Sequence, residues 1–338
     1  MNSPALNAYN APRWLPGGNL QTIWAAMYAR RGLAGQPHYR RERWTAPDGD
    51  FIDVDFAESS SAGTAMPAPS ARPLLVLFHG LEGSSRSHYA EAFAEFASLQ
   101  GWAFAVPHFR GCSGELNLAP RAYHSGDFEE VGWILARLRQ QHDAAGGGPI
   151  FATGVSLGGN ALMRWAGEAG ADASRFVSAV ASISAPLDLA AGGLAIGRGF
   201  NKLVYTRMFL GTMKPKALAK LAQHPGLFDR EALRQVKDLY EFDNLFTGPL
   251  HGFRDADDYW ARGSAKPHLH RIRVPALALN ALNDPFVPAA SLPSAQEAGS
   301  HVTLWHPAQG GHVGFPSGAL PGHVRDMPAA VGGWLKAL

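Results

Sequence analysis

The chain has 338 residues, 46% hydrophobic and only 17% charged, which excludes a largely disordered protein and supplies enough apolar surface for a core that needs no staples. A net charge of +2 without a Lys/Arg block leaves no electrostatic footprint for a nucleic acid. The single cysteine, Cys112, rules out an internal disulfide and a thiolate zinc cluster.

Residues 1–38 carry Trp14, Trp24 and Tyr28 among polar neighbours and read as an arm packed on a body. No basic stretch there leads into an apolar run, so no signal peptide is expected. Segments 39–45 and 51–56 flank Pro47-Asp48-Gly49-Asp50, a turn signal that predicts a hairpin. Residues 59–70 are rich in Ser, Ala, Pro and Gly and predict a mobile loop. Beyond them, short apolar runs at 73–78, 103–106, 149–155, 177–183 and 275–280 fit strands buried on both faces. Helical periods at 88–100, 127–141 and 160–170 alternate with them, which predicts a doubly wound α/β sheet. Residues 186–273 break the alternation and predict a helical insertion, with helices at 214–223 and 229–242. The alternation resumes at 275–280 and 302–305 and ends in a helix near 329–338. The longest apolar stretch, 176–196, is interrupted by Ser178, Ser182, Ser184, Pro186 and Asp188. It reads as a strand and loop, so a cytoplasmic protein with no integral membrane segment is expected.

Gly154-Val155-Ser156-Leu157-Gly158 fits G-x-S-x-G. The pattern alone is weak, but an apolar strand enters it and a helical period leaves it, the setting of a nucleophile elbow. A serine hydroxyl needs a base, and in this arrangement an acid and then a histidine follow in the chain. Of the late histidines His301, His306, His312 and His323, His312 lies in the glycine-rich Gly310-Gly311-His312-Val313-Gly314. Asp284 follows strand 275–280 and is the favoured acid; Asp188, after the preceding strand, competes. Asp127 reads as a helix cap. His79-Gly80-Leu81 follows the first apolar strand, so the amides of Leu81 and Leu157 are the natural donors to an oxyanion.

Other readings compete. Acyl transfer or thioester cleavage would use the same residues, and His224 and Asp229 repeat an acyltransferase spacing, read here as chance. Cys112 as a nucleophile lacks a strand-turn-helix setting and suits packing better. A non-catalytic binding protein would not need this constellation. The 14 histidines are scattered, so neither a metal nor an organic cofactor is expected. Phe200, Tyr205, Phe209, Phe246 and Phe253 line a pocket or, the more economical reading, form the core of the insertion.

Taken together, Gln21-Thr22-Ile23, Asp48-Gly49-Asp50, His79 to Ser85, Phe109 to Gly114, Tyr123 to Asp127, Gly154 to Asn160, Asn283 to Phe286 and Gly310 to Phe315 resemble the YheT-like branch of the α/β-hydrolase superfamily. That branch includes membrane-anchored eukaryotic abhydrolase-domain phospholipases. The resemblance implies a mostly parallel eight-stranded sheet flanked by helices, with a cap over 186–273 dividing a core of 1–185 and 274–338. It implies a Ser156/Asp284/His312 triad that cleaves a small-molecule carboxylic ester, of short- to medium-chain acyl groups, in the cytoplasm. Two departures stand out: no anchor is seen, and Asn283 stands where such proteins often carry Asp.

Overall fold

The computed structural model describes residues 6–33, 35–58 and 72–338; the loop expected at 59–70 lies outside them. Strands β1 (Tyr39–Thr45), β2 (Phe51–Ala57), β3 (Leu74–Phe78), β4 (Ala103–Pro107), β5 (Ile150–Val155), β6 (Ala179–Ile183), β7 (Ala276–Leu279) and β8 (Val302–Trp305) form one sheet. Its order is β1-β2-β4-β3-β5-β6-β7-β8. The β1–β2 hairpin joins β4 antiparallel, and all other pairs are parallel. This is the expected α/β-hydrolase architecture.

Side chains alternate across a strand, and β3 uses both faces. Leu74, Val76 and Phe78 enter one core, closed by α3 (Phe128–Ala144) and α4 (Leu157–Ala169). Leu75 and Leu77 enter the other, closed by α2 (His88–Leu99) and the C-terminal helix Asp326–Lys336. The arm contributes helix α1 (Gly18–Met27).

Several boundaries differ from expectation for definable reasons. Helix α4 begins at Leu157, not near 160. A Cβ on Gly158 would lie 2.5 Å from the carbonyl oxygens of Phe78 and His79, so close packing on the sheet outweighs the poor helix propensity of glycine. The 229–242 segment splits into Arg230–Gln235 and Leu239–Phe242, because the Asp238 carboxylate accepts the Glu241 N–H at 3.0 Å and caps a new start. Asp127 precedes α3 but makes no side-chain cap; its carboxylate is taken by Arg121.

Between β6 and β7 lie α5 (Leu189–Ile196), a continuous helical stretch through Arg207–Gln223, π turns at Lys202–Thr206 and Asp243–Thr247, and the helix Ala256–Gly263. Leu210, Leu233, Phe242 and Phe246 give this insertion a core of its own. From Ala265 on, the chain returns to the main core, where Leu269 and Ile272 are buried. Among the described residues no helix is long and apolar enough to cross a membrane.

Candidate active site

The loops after β3, β5, β7 and β8 converge because parallel strands place all their C-terminal ends on one edge of the sheet. Phe78 pairs with Gly154, so the His79 loop and the Ser156 turn are neighbours. Ile183 pairs with Leu279, and Leu279 with Trp305, which brings the Asp284 and His312 loops alongside. Ser156 has φ 52° and ψ −118°, a strained conformation for a residue with a Cβ. Its flanking glycines permit it: a Cβ on Gly154 would stand 2.4 Å from the Gly158 carbonyl oxygen.

Ser156 Oγ lies 3.0 Å from His312 Nε2. His312 Nδ1 lies 2.9 Å from Asp284 Oδ2 and 3.2 Å from Oδ1. An ionised carboxylate only accepts, so Nδ1 carries the proton and Nε2 is left to accept from the serine hydroxyl. Asp284 Oδ1 also accepts the N–H groups of Phe286 (2.7 Å) and Val287 (3.2 Å). The Phe286 ring packs on the imidazole at 4.3 Å between centroids. Asp188, the competing acid, instead caps α5 by accepting the Ala191 N–H at 3.0 Å.

The arm holds the histidine loop. Thr22 Oγ1 accepts the His312 N–H at 2.8 Å, and Gln21 Oε1 accepts the Gly310 N–H at 2.9 Å. Asn283 accepts the Gly311 N–H with its oxygen and donates to Gln21 with its amide, each at 3.0 Å. The departure at Asn283 therefore has a use that a carboxylate, lacking a donor, would lose. These positioning contacts escaped the sequence reading; Gln21-Thr22 was visible only as a matched motif. Thr22→Val keeps the shape and removes one acceptor. A net hydrogen bond of about 1 kcal/mol predicts a fall in kcat of about fivefold with KM little changed, restored by Thr22→Ser. Steady-state kinetics of both variants checks it.

Leu81 and Leu157 both line the cavity beside Ser156, and among the described residues neither amide has a hydrogen-bond partner. The Leu81 loop is pinned by His79, whose Nε2 accepts the Phe109 N–H at 3.1 Å while Nδ1 donates to the Gly80 carbonyl at 2.8 Å. Tyr89 Oη accepts the Gly80 N–H. Burial pushes the His79 pKa down to about 3, and those of His88 and His124 to about 4 and 3. An unfolded chain takes up protons on these groups below about pH 6.5, so their contribution to stability is full above that pH and is lost as pH falls. Burial raises Asp243 to about 6 and Glu130 to about 7, which acts in the opposite sense on fewer groups. A thermal midpoint that drops steadily from pH 7 to pH 4 is expected; a flat or rising one contradicts this account.

The cavity has a volume of about 130 Å³ and is walled by Leu189, Ile196, Phe209 and Met213 of the insertion, with Phe286 from the core. Of the five aromatic candidates only Phe209 lines it. Tyr205 packs on Phe286, Phe246 joins the core of the insertion, Phe253 packs against Tyr259, and Phe200 is exposed. Cys112 is buried and its thiol is pushed up to about 12, so it is no nucleophile near neutral pH. His224 donates to the Leu118 carbonyl and Asp229 caps a helix, so that pair shares no site. The Asp48-Gly49-Asp50 motif is structural. Burial would raise Asp50, but the Asn117 amide and three backbone N–H groups outweigh it and hold it down to about 2, beside Arg110. No cluster of three metal-ligating side chains occurs among the described residues.

Comparison with known proteins agrees with this layout. A family model described as alpha/beta hydrolase fold matches residues 73–319. YheT of Escherichia coli, named as an esterase, is 38% identical over 94% of this chain and 89% of its own. The mouse phospholipase ABHD3 is 30% identical over 89% of this chain and 72% of its own. Among solved structures, the Pyrococcus furiosus esterase Pf2001 superposes with a TM-score of 0.52 at 14% identity, covering 100% of this chain and 96% of its own. The last comparison speaks to fold alone, whereas the first three fix the family: the chain belongs to the YheT-like branch of the α/β-hydrolase superfamily.

Proposed function

We propose that this chain is a cytoplasmic serine hydrolase that cleaves carboxylic esters of short- to medium-chain acids. The observation that carries the reading is the unbroken line of hydrogen bonds from Ser156 through His312 to Asp284 at the strand C-termini. Ser156 attacks the ester carbonyl while His312 Nε2 takes its proton. Asp284 holds the imidazole tautomer and stabilises its charged form. The free amides of Leu81 and Leu157 receive the alkoxide. His312 then protonates the leaving alcohol, and a water that it activates releases the acid from the acyl-enzyme. The insertion acts as a cap over 186–273, with 1–185 and 274–338 as the catalytic core. A cavity of about 130 Å³ is well below the ~300–1,000 Å³ of drug-sized ligand sites, which favours short acyl groups.

A panel of p-nitrophenyl esters of increasing acyl length, run with fluorophosphonate labelling, tests the reading. Turnover is expected to be highest among the short esters, with one serine labelled. No labelling and no hydrolysis overturns the enzyme reading; a maximum at the longest chains overturns the chain-length part.

A further inference from the structure

The mechanism leaves the one carboxyl group that lines the cavity without a task. Asp243 is 9% exposed and lines the same cavity as Ser156. Its Oδ2 accepts the Trp260 indole N–H at 2.9 Å. The other group that bears on its carboxylate is the Thr247 side chain, and neither neighbour is charged. Burial therefore prevails and pushes the pKa up to about 6. A carboxyl withdrawn from water without a cation costs stability, and an apolar residue against Trp260 would avoid that cost.

The local backbone points the same way. Asp243–Thr247 is a π turn, a rare conformation that frequently occurs at functional sites. Both Asp243 and Thr247 line the cavity, and Ser125 lines it as well. The remaining wall is largely Leu189, Ile196, Phe209 and Met213. The side-chain oxygens of Asp243 and Thr247, one turn apart, thus stand together on the wall of a largely apolar cavity. A carboxylate offers about four lone-pair positions, of which the Trp260 and Thr247 side chains take two.

We propose that the Asp243–Thr247 wall is a polar subsite that takes a hydrogen-bond donor, hydroxyl or ammonium, carried by the ester that Ser156 cleaves. The proposal rests on the ester-hydrolase reading above and names a substrate feature which that reading leaves open. The cavity is small, so the donor lies only a few bonds from the scissile carbonyl. A methyl group in its place would cover the carboxylate, displace water and return no hydrogen bond, and sites built around a donor reject such analogues strongly.

Matched ester pairs test this on the native enzyme. On the acyl side, p-nitrophenyl 3-hydroxybutyrate and p-nitrophenyl 3-aminobutyrate are each compared with p-nitrophenyl 3-methylbutyrate. On the alcohol side, 2-hydroxyethyl butyrate is compared with propyl butyrate. In at least one pair the donor-bearing ester is expected to win in kcat/KM by about tenfold or more, chiefly through KM. Asp243→Leu should abolish or reverse that ratio. Asp243→Asn, whose amide oxygen still accepts from Trp260, should keep a hydroxyl preference and lose an ammonium one. Thermal melts of both variants show whether the insertion stays folded, and the wild-type ratios decide the matter even if Asp243→Leu does not fold. Ser156-dependent hydrolysis with no donor preference in any pair overturns the subsite alone, as does a preference that survives in folded Asp243→Leu. Hydrolysis that survives loss of Ser156 overturns the underlying reading instead.

Discussion

Ser156→Ala is expected to fold normally, to lose ester turnover by roughly 10⁶-fold, as nucleophile removal does in other serine enzymes, and to lose fluorophosphonate labelling altogether. Alanine retains the Cβ, so the backbone strain at φ 52° is unchanged and only one oxygen leaves the half-buried turn. That oxygen is the one 3.0 Å from His312 Nε2. The free amides of Leu81 and Leu157 persist in the variant, so a residual rate above that in water is expected from them and from substrate binding. Labelling of the variant at the wild-type rate would remove Ser156 from the mechanism. Cys112, buried with a raised pKa, would not inherit the role.

The second large effect separates two aspartates. Asp284→Asn should cost up to about 10⁴-fold in turnover. The Phe286 and Val287 N–H groups require an acceptor, so the asparagine oxygen stays with them and its NH₂ turns to His312 Nδ1. The imidazole must then carry its proton on Nε2, facing the serine hydroxyl, and can no longer accept from it. Asp188→Asn should stay near wild type, because asparagine caps a helix about as well as aspartate and Asp188 serves only α5. Assay of both variants against one saturating ester decides the assignment. If the large loss falls on Asp188→Asn and Asp284→Asn stays within about tenfold of wild type, the acid is the wrong one.

What sequence could reveal followed the range of the interactions involved. Strands β3, β5 and β6 are short apolar runs because both their faces are buried, so composition alone marks them. Ser156, Asp284 and His312 stood out because each follows an expected strand, with glycine or proline within two residues, in a fixed chain order. The contact between Thr22 and His312 spans 290 residues and leaves no periodic trace. The insertion was legible as helical but not in detail. Its π turns shift the side-chain phase, so 3.6-residue counting could not say which of the five aromatic candidates faces the cavity, and of those only Phe209 does. Asp243 gave no signal at all, since nothing in the sequence marks an aspartate as buried.

The attachment of the arm has a consequence for how activity depends on chain integrity. Tyr9 and Trp24 donate to the carbonyls of Pro316 and Pro321, flanking the contacts that Gln21 and Thr22 make with the histidine loop. Among the described residues 6–33, none belongs to a strand of the sheet. A cut after Leu33 would therefore leave the sheet intact and turn an intramolecular brace into a bimolecular one, with the brace's effective concentration lost. The cut enzyme would behave as a two-piece system. Its turnover would be weak alone, restored by a peptide covering 6–33 and saturable in that peptide, which makes the arm a natural split point for a complementation reporter.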